Sequence, residues 1–145
     1  MSDNLSNADC GAAALAAILE SVEIRRRLAQ DNPVRFAPDL AVSLNTLSKR
    51  LSDAGDGAGA LAAIREAVNT YRRLAQDNPA RFAPDLALSL NNLSHRLSDA
   101  GDGAGALAAI REAVEIRRRL AQDNPARFTS ALERSLRVLE ALEKA

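Results

Sequence analysis

Leucines recur at fixed intervals along the middle of this chain. Leu40, Leu44, Leu47 and Leu51 follow the spacing i, i+4, i+7, i+11, a single apolar stripe on a 3.6-residue period. The stripe predicts an amphipathic helix from about Pro38 to Ala54. Pro38 suits the first turn, where the N–H it lacks has no partner to lose. Gly55 predicts a left-handed C-cap, and Asp56 an N-cap for a second helix. That second helix, from about Gly57 to Asn78, turns Leu61, Ile64, Val68 and Leu74 or Ala75 inward. Asn78-Pro79 ends it, because a residue before proline is pushed out of the helical region.

The pattern repeats. L-A-Q-D-N-P stands at Leu28–Pro33, Leu74–Pro79 and Leu120–Pro125, 46 residues apart each time. Residues 28–73 and 74–119 are identical at 39 of 46 positions and differ at 34, 42, 46, 49, 69, 70 and 71. A fixed period of this size marks a solenoid, whose units bury their apolar faces against one another. Copies of the two helices are expected at 84–100 and 103–124, with partial copies at the ends. Residues 9–31 match the second helix, and residues 129–144 keep Leu132, Ser135, Leu136 and Leu139 of the first. The expected fold is an all-α solenoid of six helices in three antiparallel hairpins. It divides into a half repeat at 9–37, full repeats at 38–83 and 84–128, and a capping helix at 129–145, with Met1–Ala8 frayed.

Composition narrows the function classes. The 145 residues suffice for one domain, and 30 Ala with 21 Leu against four aromatics speak for helices over a β-sandwich. With 19 basic and 19 acidic residues, no field of one sign steers the chain toward a polyanion or a bilayer. Cys10 is the one cysteine, which excludes an internal disulfide and fits a reducing cytosol. The longest apolar run, Ala12 to Leu19, is far shorter than the ~18 residues of a membrane span. Asp3 and Asp9 flank it, the opposite of a secretory signal. A cytoplasmic location is expected.

The skeleton of each full unit resembles the tetratricopeptide repeats: Leu44, Leu47, Ser48, Leu51, Gly55, Ala60, Ile64 and Ala67, then Leu90, Leu93, Ser94, Leu97, Gly101, Ala106, Ile110 and Ala113. The segments P-D-L-A-V-S-L-N-T-L-S and P-D-L-A-L-S-L-N-N-L-S look like the long-repeat subfamily that includes the kinesin light chain and many bacterial regulatory proteins. The resemblance implies a superhelix that binds proteins or peptides along a concave groove lined by the first helices. It also implies that asparagines of the L-N-N-L stretch, here Leu90–Leu93, bond the backbone of a bound peptide. Where similar bacterial repeats carry charge, this chain has G-D-G-A-G-A-L at 55–61 and 101–107, which predicts a softer turn.

Catalytic and metal chemistry fail on inventory. A triad needs a nucleophile, a base and an orienting acid, and Cys10 and His95 fall in different units with nothing to activate either. Cys10 takes the place of Asp56 and is read as a degenerate helix cap. Asp53, Asp56, Asp99 and Asp102 lack the alternating ligands and bidentate Glu of a calcium loop. The runs Arg25–Arg27, Arg72–Arg73 and Arg117–Arg119 are read as complementing helix dipoles and pairing with nearby acids rather than as a nucleic-acid footprint. Phe36, Phe82 and Phe128 recur as a packing position between units. No enzymatic activity, cofactor, metal or nucleic-acid partner is expected.

Two readings of function remain. Positions 42, 46 and 49 escaped the duplication and share one face of the first helix, distinct from the leucine stripe. With the neighbouring asparagines they define a candidate peptide groove of Val42, Asn45, Thr46, Lys49, Leu88, Asn91, Asn92 and His95. The alternative is a self-associating module. Glu140 and Glu143 replace Ser94 and Leu97 where a following helix would pack, while Leu19 replaces Arg65 and Arg111. Leu15, Ile18, Leu19 and Val22 of the N-terminal helix would then favour a homodimer. The soft glycine turns offer hairpin exchange as a second route.

Overall fold

A computed structural model describes the backbone of residues 2–145 and the side chains from Cys10 onward. The described residues form six α-helices: α1 (Ser2–Asp31), α2 (Pro33–Asp53), α3 (Gly57–Asp77), α4 (Pro79–Asp99), α5 (Gly103–Asp123) and α6 (Pro125–Lys144). Each helix packs on the next in sequence, giving the all-α solenoid of antiparallel hairpins that the period requires. The expected fraying of Met1–Ala8 concerns residues outside the fully described ones. Cys10 lies within α1 and is exposed, so it is not a cap.

The first helix of each unit begins five residues earlier than the leucine stripe suggests, at Pro33 and Pro79, and α6 begins four earlier, at Pro125. Asparagine explains the difference. The Asn32, Asn78 and Asn124 backbone N–H groups each close the preceding helix, on Leu28, Leu74 and Leu120 at 2.9, 2.9 and 2.8 Å. Their side-chain oxygens then accept from the N–H of Arg35, Arg81 and Arg127, each at 3.3 Å. One residue is thus both C-cap and N-cap, and the following proline takes the first helical position. Pro38 and Pro84 therefore lie inside their helices. Each removes one helical hydrogen bond, to the carbonyl of residue 34 or 80, both exposed positions where water can replace it.

The second type of connection is the turn at 54–56 and its copy at 100–102. Gly55 and Gly101 adopt left-handed backbone with φ of 85° and 82°. Asp56 and Asp102 cap the next helix, each accepting from a glycine N–H (Gly59, Gly105) at 2.9 Å. The glycines that soften this turn have different standing. A Cβ on Gly57 would meet open space, whereas one on Gly59 would collide with the capping carboxylate of Asp56.

Within each hairpin the helices meet on small residues. Ala60, Ala67, Ala106 and Ala113 are fully buried, and Leu44, Ile64, Leu90 and Ile110 fill the spaces beside them. At the closest approach Ser48 Oγ donates to the Ala60 carbonyl at 2.7 Å, and Ser94 Oγ to the Ala106 carbonyl at 2.8 Å.

The turn geometry separates two substitutions. Gly57→Ala is expected to raise stability by about 0.5–1 kcal/mol through helix propensity and a stiffer unfolded chain. Gly59→Ala is expected to gain nothing, because it displaces a cap that contributes about 1 kcal/mol. Urea unfolding of both variants beside the parent checks this, and equal stabilisation would show that the cap does not govern the turn.

Candidate functional site

The helices α2, α4 and α6 form one layer, joined by side-chain hydrogen bonds, and it is the layer that the family resemblance assigns to the inner face. Neighbours α2 and α4 touch directly. On the outer layer, long ion pairs bridge α1 to α3 and α3 to α5: Arg26–Glu66 at 2.8 Å and Arg72–Glu112 at 3.0 Å. Between α2 and α4 the inner face opens into a cavity of about 430 Å³, lined by Asn45, Thr46, Ser48, Lys49, Arg50 and Asp53 of α2 with Asn92 and Arg96 of α4. Among the described residues, Lys49, Arg50 and Arg96 enter no ion pair. Three cations and one carboxylate therefore line the cleft, with Arg96 opposite the other three.

Of the residues singled out in the sequence, this cavity gathers Asn45, Thr46, Lys49 and Asn92. Val42, Leu88 and His95 are exposed and lie outside its lining. The Thr46 hydroxyl donates to the Val42 carbonyl of its own helix at 3.2 Å, so it presents an acceptor rather than a free donor. Asn45 and Asn91 serve the array itself. Their side-chain oxygens accept from Ser89 at 3.1 Å and Ser135 at 3.0 Å, each tying one first helix to the next. Their amide N–H groups are not used by those bonds. The matching space between α4 and α6 changes character, because Val138 and Leu142 replace Asn92 and Arg96 and pack against the core. Arg50, Asp53 and Arg96 escaped the sequence reading for a simple reason. The two full units are identical at these positions, so a search for differences passes over them.

A buried polar ladder runs behind the groove. Arg25 donates to Ser43, and Arg117 donates to Ser135 at 2.7 Å and to the Ala131 carbonyl at 3.0 Å. In the middle unit Tyr71 occupies the arginine position. Burial, and then the nearby Asp85 carboxylate, push its hydroxyl up to about 12. Burial also raises the Asp85 carboxyl against the pull of Arg81 and Arg127. In the last unit Ala131 stands in the register of Asp85, leaving Arg117 only 6% exposed with no carboxylate partner. Burial, and then Arg134, lower its pKa.

The first two basic runs pair with acids one unit further on, and Arg118 of the third with Glu115 of its own helix, rather than with helix dipoles. Arg26 and Arg72 end on Glu66 and Glu112, and no basic residue falls in the last turn of α1, α3 or α5. The recurrent phenylalanines lie under arginine, with guanidinium carbons 5.0, 4.7 and 4.7 Å from the rings of Phe36, Phe82 and Phe128. Of the residues proposed for self-association, Val22 is buried, and Leu15 and Ile18 pack against the α2–α3 core. Leu19 is 44% exposed.

With this geometry the chain belongs to the tetratricopeptide repeat family, whose model matches residues 40–80 and 86–126. No curated protein matches the chain. Members of the family are in general modules for protein–protein interaction, typically scaffolds rather than catalysts. Among the described residues no helix is long and apolar enough to cross a membrane.

The ladder gives opposite expectations at its two polar ends. Asn91→Ala leaves Ser135 without its acceptor and is expected to lower stability by about 1 kcal/mol. Arg117→Tyr restores the residue of the middle unit, removes an uncompensated buried cation, and is expected to raise stability by about 1 kcal/mol. Thermal unfolding by circular dichroism reads both. A loss on Arg117→Tyr would show that its hydrogen bonds outweigh the desolvation.

Proposed function

We propose that this chain is a non-catalytic binding module whose inner groove takes an extended, acidic peptide segment of a partner protein. The observation that carries the reading is the set of unpaired cations, Lys49, Arg50 and Arg96, around the α2–α4 cavity beside the amides of Asn45 and Asn92. A strand of peptide laid between the two helices meets amide groups for its backbone and cations for its carboxylates. Asp53 at one end of the cleft disfavours acids there and fixes direction. The fold supports this use, because an already folded array presents the groove without a folding step on binding.

The affinity expected of such a site is modest, in the micromolar range or about −8 kcal/mol. Fluorescence anisotropy with matched sets of acidic, neutral and basic peptides tests the preference. Acidic peptides are expected to bind best and to weaken as salt rises. The double variant Lys49→Glu/Arg96→Glu is expected to lose at least tenfold toward acidic peptides while keeping its helix content. Equal binding of all three sets, or binding indifferent to the double variant, would refute the reading.

A further inference from the structure

α3 and α5 are each covered on two sides, by the helix before and the helix after, but α1 is covered on one. Ala60, Ala63 and Ala67 bury one side of α3 against α2, and their counterparts on α1 are Ala14, Ala17 and Ser21. Ile24 and Leu28 continue that row, 49% and 38% exposed. Among the described residues nothing packs on it, and it forms a shallow cleft of about 310 Å³ that includes Ala17, Ser21, Ile24 and Leu28. Positions 14, 17, 21, 24 and 28 alternate steps of three and four, the spacing of a seam that pairs with another helix. Leu19 is not on this seam. It stands in the register of Arg111, which reaches Glu143 on the following helix, so it lies at the α2 side of α1.

We propose that this seam recognises itself: α1 packs antiparallel against α1 of a second copy about a two-fold axis, Ser21 facing Ile24 and Ala17 facing Leu28 of that copy. Small residues then oppose large apolar ones at both of these steps, and Ala14 faces Asp31 at the ends. The flanking charges agree. Glu20 and Arg27 lie one heptad apart on the same exposed flank, and neither enters an ion pair among the described residues. In this register Glu20 of each copy meets Arg27 of the other, twice by symmetry. Sliding the pair by one heptad, so that Ala17 faces Ser21, would set Glu20 against Glu20. Zero net charge leaves no long-range repulsion to oppose association.

The competing occupant is α6 of a second copy, which would continue the solenoid head to tail and place Glu20 beside Arg118. Chemistry disfavours it. Glu140 stands where Ser48 and Ser94 donate to an alanine carbonyl at 2.7 and 2.8 Å, and it would turn a carboxylate toward that acceptor. Glu143 stands at the place of buried Leu97. Two carboxylates, exposed here in ion pairs with Lys144 and Arg111, would have to be desolvated.

Sedimentation equilibrium of the full chain, reduced so that Cys10 forms no disulfide, reads the proposal. The parent is expected to dimerise at tens of micromolar. Glu20→Arg is expected to weaken the dimer about tenfold or more, and Glu20→Arg/Arg27→Glu to restore it. All these positions are exposed, and circular dichroism confirms that the variants fold. A monomeric parent would overturn the proposal. So would a folded Glu20→Arg/Arg27→Glu that stays monomeric, or rescue by Glu20→Arg/Arg118→Glu instead, which would mark head-to-tail stacking. Acidic-peptide binding in the groove is expected to be unchanged in monomeric Glu20→Arg, so failure here and failure of the proposed function are separable.

Discussion

Two helices can approach closely only where both bring small side chains, and this array is organised around that limit. Ala60 and Ala106 have no exposed surface, and the serine opposite each reaches across to its carbonyl. The contact sets how closely α2 lies on α3 and α4 on α5. The large side chains, Leu44, Ile64, Leu90 and Ile110, then have only the flanking spaces to fill. The spacing of hairpins follows from that packing, and with it the cleft between α2 and α4. The groove is what remains when the pitch has been fixed by alanine.

Polar groups knit the hairpins at a second level. The serine at position 43, 89 or 135 bonds the second helix behind it, the asparagine of the unit before it, or, at Ser135, both. Each such serine is buried and bonded: Ser43 from the second helix, Ser89 to the asparagine, and Ser135 on both sides. The middle unit uses tyrosine and the outer ones arginine, and only the last arginine lacks an acid in the register of Asp85. The second helices vary here while the leucines do not, which says that the apolar contacts carry the fold and the ladder adjusts to its ends.

Much of this was legible because the chain states its unit almost twice over. Near-identity across 46 residues fixes the helix count, the order of the hairpins and the inward rows with little room for alternatives. Helix starts were less legible, since Pro33 and Pro38 both fit a first turn and only the double duty of Asn32 decides between them. The groove was half legible. Differences between units point to the helices that line the α2–α4 cavity and to Thr46, Lys49 and Asn92, but shared Arg50, Arg96 and Asp53 are silent in such a comparison. On α1 the apolar period is plain, yet periodicity does not say which neighbour takes which side. Leu15, Ile18 and Val22 go to α2, and the side left open is the quieter row of Ala17, Ser21, Ile24 and Leu28.

The asparagine joints have a consequence for how such a chain can change over time. With a single residue between α3 and α4, there is no slack to absorb an insertion. One added residue inside a helix turns everything beyond it by about 100° and carries the leucine row off its partner. The same change in the turn at 54–56 would disturb a left-handed glycine and the cap beside it. Length is therefore quantised. The array can gain or lose a whole unit of 46 residues while every interface recurs unchanged, which is how two units come to differ at seven positions and in length not at all.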